Sequence, residues 1–195
     1  MRLLLLVLVS LQIAWARDVV VRTKYGTLEG SVEGRSRIFK GVPFAAPPVG
    51  PLRWRSPQPP SAWSGTRSAK SFGPDCLQWR NQSALASVTS EDCLYLNLWV
   101  PEKQNKPLPV MMFFFGGSWA WGGTQFSVYD GARILEKADD VIICTVNYRL
   151  GALGFIASAA LSAESGTSGN YGLQDQQAAM RFVRDNIVAL SLIHI

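Results

Sequence analysis

The stretch FFFGGSWAWGG, Phe113 to Gly123, runs an apolar segment straight into two glycines, a serine and a tryptophan. Such a sequence is either a plain turn after a buried strand or half of an active site that needs a nucleophile. Other side chains with chemistry of their own are few. His194 is the only histidine and lies in SLIHI at the chain end. There are three cysteines, Cys76, Cys93 and Cys144. Asn81-Gln82-Ser83 is an N-glycosylation sequon, which becomes usable if the chain enters the secretory pathway.

The amino terminus predicts that it does. Met1-Arg2 is a positive start, Leu3 to Ala14 is an apolar run, and Ala14-Trp15-Ala16 has the small-x-small form of a signal-peptidase site. Residues 1–16 read as a signal peptide cleaved after Ala16, which directs the mature chain to a secreted or lumenal location. The run is too short for a membrane span, which needs about 20 apolar residues, and no other segment is long enough. In an oxidising compartment Cys76 and Cys93, both in loop-like surroundings, can close a loop worth about 3 kcal/mol in the chain-entropy model. Cys144 sits inside VIICTVN and reads as a buried, inert thiol.

Composition bounds the remaining possibilities. The chain has 195 residues, of which 48% are apolar, enough for one ordinary core. Residues 1–70 carry 11 Lys/Arg against 3 Asp/Glu, and residues 71–195 carry 8 against 11. The basic side chains of the first half are dispersed among prolines and tryptophans, which argues against nucleic acid as a partner.

The elements that must position these residues follow from periodicity. VVVRT and TLEGSV flank Lys24-Tyr25-Gly26 as an antiparallel hairpin. Residues 41–65, dense in proline and tryptophan, form an irregular coat pinned by Trp54 and Trp63. In CLYLNLWVP, leucines and Val100 alternate with Tyr95, Asn97 and Trp99 to give a strand stopped by Pro101. VMMFFF (110–115) and VIICTV (141–146) are apolar on both faces. With a short helix around Tyr129 to Lys137 between them, they read as covered parallel strands. LQDQQAAMRFVRDNIVAL places Ala179, Phe182, Val183, Ile187 and Leu190 on one helical stripe. The class is α/β.

Three segments, SEDCLYLNLWVP (90–101), VNYRLGALGF (146–155) and GNYGLQDQQAAMRFVRDNI (169–187), resemble the type-B carboxylesterase and cholinesterase family. GVPFAAPPVGPLRW and FGPDC are similar to the same family in the same order. The resemblance covers residues 17–190, with 191–195 departing from the pattern. It implies the N-terminal part of an α/β-hydrolase fold, incomplete, with a mostly parallel sheet and an N-terminal antiparallel hairpin. It further implies a Cys76–Cys93 disulfide and two ion pairs, Arg53 with Glu91 and Arg149 with Asp175, structural if buried. In that fold Gly117 and Ser118 would be the oxyanion-hole N–H donors, and Trp119 would line the substrate pocket.

The activity implied is hydrolysis of a small-molecule carboxylic ester through a serine nucleophile and an acyl-enzyme, without metal or cofactor. The nucleophile is expected in G-x-S-x-G form, and no residue here meets it. Ser118, Ser165 and Ser168 each lack one or both flanking glycines, and His194 lies where the family pattern has already ended. The chain as it stands is therefore expected to lack nucleophile, acid and catalytic histidine, and to be inactive alone. Phe115 and Ser118 depart from the family's usual His-Gly-Gly-Gly or Tyr-Gly-Gly-Gly, and a Gly-Gly-Ser-aromatic version also occurs in neuroligin-like members. A non-catalytic adhesion protein that binds a protein partner is thus the alternative reading.

Overall fold

The computed structural model describes residues 17–78 and 88–191. The expected signal peptide, the Asn81 sequon and His194 lie outside the described residues.

Strand β1 (Arg17–Arg22) and β2 (Thr27–Glu33) form the expected hairpin, with Val21 opposite Leu28. Its turn is closed by Thr23, whose N–H and hydroxyl both donate to the Gly26 carbonyl at 2.9 Å. Then follow β3 (Ser36–Pro43), β4 (Thr66–Ser68), β5 (Asp75–Cys76), β6 (Thr89–Ser90) and β7 (Tyr95–Pro101). After β8 (Val110–Phe114) come helix α1 (Ala132–Leu135), β9 (Ile142–Val146), α2 (Gly151–Phe155), α3 (Ala159–Ser165) and α4 (Tyr171–Ser191). The main sheet has the order β1-β2-β3-β7-β9-β8, with β4 beside β2, while β5 and β6 form a separate small pair.

This sheet is mixed, not mostly parallel as expected. β8 and β9 are parallel, and β4 is parallel to β2, but β3 with β7 and β7 with β9 are antiparallel. Apolar runs report burial on two faces, not strand direction. β9 enters between β7 and β8, so only its β8 side meets a strand of the same direction. The parallel pair needs a long crossover. Residues 115–141 supply it with a 3-10 turn at Ser127–Tyr129 and the single-turn helix α1, shorter than the helix expected there.

Both faces of β7 are covered. Leu96, Leu98 and Val100 join the large core with Val146, Phe182 and Val183, and Trp99 packs on the other face with Ile38, Ile143 and Leu135. The buried Asn97 is satisfied across three strands: it accepts from Gly41 N–H at 2.9 Å and donates to Thr145 Oγ1 at 3.0 Å. β9 is buried throughout, but β8 has one neighbour among the described residues, and its Met111 is 43% exposed.

Helix α4 docks on the predicted stripe, with Ala179, Phe182, Val183 and Leu190 buried. Each large apolar side chain so buried contributes about 1.5–3 kcal/mol. Tyr25 stacks on Phe182 at 5.7 Å, and Lys24 N–H donates to Asn186 Oδ1 at 3.0 Å, which ties the hairpin to the helix. Among the described residues, no helix is long and apolar enough to cross a membrane.

Candidate functional site

The chain leaves β8 through Phe115, whose ring is buried and stacked on Tyr148 at 4.6 Å. The Tyr148 hydroxyl donates to the Phe115 carbonyl at 2.6 Å. Burial pushes that phenol up to about 12, so it keeps its proton at neutral pH and remains a donor. The side chain at position 115 therefore points into the core, and a polar group there would have to be buried too.

Gly117 follows with φ 137°, and a Cβ on it would lie 1.9 Å from the Trp121 carbonyl oxygen. Only glycine fits. Its own carbonyl accepts from the N–H groups of Ala120 at 3.0 Å and Trp121 at 3.2 Å, which folds the loop into a tight turn. Ser118 and Trp119 then both adopt left-handed backbone, at φ 53° and 63°. Trp119 is held there because its carbonyl accepts from Gly151 N–H at 2.7 Å, at the start of α2. Among the described residues, the N–H groups of Gly117 and Ser118 have no acceptor. Successive N–H groups presented by such a turn form a concave donor site for anionic oxygen. Beside them Trp119 is 48% exposed and packs on Phe155 at 5.2 Å and Tyr148 at 5.9 Å, an aromatic wall next to the donors.

Left-handed backbone at a non-glycine residue costs about 1–3 kcal/mol. Ser118→Gly is expected to relieve that strain, partly offset by glycine's greater freedom when unfolded. A net gain of about 0.5–1 kcal/mol in a denaturant titration is the expected result, and a loss would show that the serine side chain makes a contact worth more than the strain.

The far end of this loop is held by residues around the disulfide. Gln78 makes a paired contact with Gly122, accepting from its N–H at 2.9 Å and donating to its carbonyl at 2.7 Å. Thr124 N–H donates to Asp75 Oδ1 and to Asn147 Oδ1, both at 3.1 Å. Gly123 lies against Asp75 so closely that a Cβ would sit 2.1 Å from its carboxyl carbon. Asp75 is fully buried, and this burial pushes its carboxyl up to about 6 against the hydrogen bonds it accepts. The native state therefore binds a proton more tightly than the unfolded chain. Stability falls as pH rises from about 4 to about 6, and Asp75→Asn removes that slope. The variant is expected to be more stable at pH 7 by up to about 3 kcal/mol. Chemical denaturation at pH 4.5 and pH 7 checks this.

The remaining expected contacts divide by burial. Arg149 holds Asp175 in a two-pronged pair at 2.8 Å from both Nε and Nη2, and its backbone N–H adds a third bond at 3.0 Å. Both side chains are buried. Arg53 meets Glu91 with the same fork, at 2.6 and 2.7 Å, but this pair is part-exposed. Cys76 and Cys93 are disulfide-bonded. Cys144 is a buried free thiol whose pKa is raised by burial, as the inert reading requires.

Ser168 and Ser162 share a hydrogen bond at 2.7 Å, and Ser165 donates to the carbonyls of Leu161 and Thr167. No histidine lies among the described residues to activate any of them. Two contributors went unread in the sequence, Asp75 and Gln78. FGPDC carries part of the family resemblance and a cysteine, but no local pattern announces that a residue beside a cysteine will reach a loop over 40 positions away.

A sequence model described as the carboxylesterase family matches residues 17–190. The chain belongs to the carboxylesterase family. It is 49% identical over 174 residues to the fumonisin B1 esterase of Sphingopyxis macrogoltabida, covering 87% of this chain and 32% of that one. To the para-nitrobenzyl esterase of Bacillus subtilis (strain 168) it is 38% identical over 174 residues, covering 87% and 35%. A solved PNB esterase superposes with a TM-score of 0.78 at 39% identity, over 88% of this chain and 35% of that one. The fold is thus the α/β-hydrolase fold of these esterases, and the chain spans about a third of the length of the relatives it matches.

Proposed function

We propose that the protein to which these residues belong hydrolyses carboxylic esters. In this reading a serine attacks the ester carbonyl carbon and passes its proton to a histidine. The carbonyl oxygen becomes an oxyanion, and the N–H groups of Gly117 and Ser118 donate to it. Collapse of the tetrahedral species breaks the bond to the alcohol, which leaves with the proton, and water then cleaves the acyl-enzyme. This reading assigns the serine, histidine and acid to no residue between 17 and 190.

The observation that carries the reading is the Gly117–Ser118 turn, with two N–H groups lacking acceptors where the strand ends. Donors fixed before the reaction stabilise charge that appears only in the transition state. Trp119, exposed beside them, lines the pocket for the apolar part of the ester. The esterases among the relatives support the same substrate class. Residues 1–16 direct the chain to the secretory pathway, where the Cys76–Cys93 bond persists and Asn81 can carry a glycan.

The test is turnover of 4-nitrophenyl butyrate by the protein expressed from its complete reading frame. Saturable release of nitrophenolate is the expected result. A folded product with no turnover would refute hydrolysis and favour the adhesion protein to which Ser118 also points.

A further inference from the structure

The loop that carries the two donor N–H groups has both ends accounted for, and they are held by different parts of the chain. At its start, Tyr148 grips the Phe115 carbonyl from the end of β9. At its far end the partners come from residues 73–78, on either side of the first disulfide cysteine, Cys76. Gln78 pairs with both backbone groups of Gly122, Asp75 accepts from Thr124, and the Gln125 side chain returns a bond to the Gly73 carbonyl at 3.1 Å. Asn147 links the two segments, since it accepts from Thr124 N–H and donates to the Pro74 carbonyl at 2.9 Å. Gly122 and Gly123 allow this approach, because the carboxyl of Asp75 occupies the space where a side chain on Gly123 would stand.

A buried carboxyl is an expensive way to hold the backbone at Thr124 and Gln125 in place. Asp75 is completely buried, and its second oxygen, Oδ2, has no hydrogen-bond partner by geometry. No cation among the described residues pairs with it. An apolar residue and a solvated loop would be cheaper if stability were all that mattered.

We infer that Asp75, with Gln78 beside it, is a positioning residue for ester hydrolysis: by fixing Gly122 to Thr124 it holds the turn at Gly117–Trp119 in the geometry that aims the donor N–H groups. This rests on the oxyanion reading above. It assigns to the residues flanking the first disulfide cysteine a role in the reaction, acting through the loop and touching no substrate. A misplacement of about 1 Å at a reacting centre can lower a rate about a hundredfold, so a brace at the end of a short loop is enough to matter. The carboxyl oxygen is needed as an acceptor, and the amide oxygen of asparagine can replace it.

The experiment compares Asp75→Ala and Asp75→Asn in the protein expressed from its complete reading frame. For 4-nitrophenyl butyrate, Asp75→Ala is expected to lower kcat roughly tenfold to a hundredfold with KM changed little, and Asp75→Asn to restore kcat to within about threefold. A kcat within twofold of the wild type in Asp75→Ala, or no rescue by asparagine, overturns the proposal. A second readout does not depend on activity. The N–H groups of Ala120 and Trp121 bond to Gly117, not to Asp75. Their hydrogen exchange is expected to speed up about tenfold or more in Asp75→Ala and to be unchanged in Asp75→Asn. Exchange that changes only at Thr124 overturns the brace. If the wild type hydrolyses no ester, the reading of function fails by itself, and the exchange measurement still decides whether Asp75 holds the turn.

Discussion

Asp175→Ala is expected to destabilise the fold by about 3–5 kcal/mol, because it leaves the Arg149 guanidinium buried without its carboxylate. The size comes from an uncompensated buried charge, not from the net worth of the pair. Arg149 follows β9 directly and Asp175 lies in the first turns of α4, so the loss also frees the helix from the strand end that carries Tyr148. Glu91→Ala removes the same fork from Arg53, but there the guanidinium can turn to water. Its cost is expected to stay within about 1 kcal/mol. Paired denaturant titrations of the two variants check the contrast. Equal losses would mean that burial does not distinguish the pairs.

The second large effect is expected at Gly117. Alanine there meets two obstacles together, a φ of 137° and a Cβ 1.9 Å from the Trp121 carbonyl oxygen, which is backbone and cannot swing aside. The turn must open. On the proposed mechanism this displaces the donors, and kcat is expected to fall by about a hundredfold or more. Gly116→Ala is the control for stability. A Cβ at Gly116 meets nothing within 4 Å, so that variant is expected to melt within about 0.5 kcal/mol of the wild type. If Gly117→Ala is active and as stable as Gly116→Ala, the turn does not have the geometry described.

What the sequence made legible was what periodicity and local chemistry encode. The hairpin at Lys24–Gly26, the strand at 95–101, the parallel pair at 110–114 and 142–146, and the stripe on α4 follow from spacing alone. Strand direction did not, since a run such as VIICTV is equally apolar whether its neighbours run with it or against it. The glycines at 116 and 117 marked the turn. Trp119 in left-handed backbone was unreadable, because its conformation is imposed from outside by Gly151 on α2. The same limit hid Asp75 and Gln78. They reach the loop through contacts across long sequence separations, which no local pattern records. Arg53 and Arg149 looked alike in the sequence, and only the packing of α4 over one of them separates their energetics.

The measurement that tests the central claim most directly is mass spectrometry of the protein expressed from its complete reading frame after treatment with a fluorophosphonate. The account predicts one covalent adduct, on a serine beyond residue 190, with its phosphonyl oxygen in reach of the Gly117 turn, so that Gly117→Ala labels far more slowly. No adduct on the folded protein, or an adduct on Ser118, Ser165 or Ser168, would contradict it.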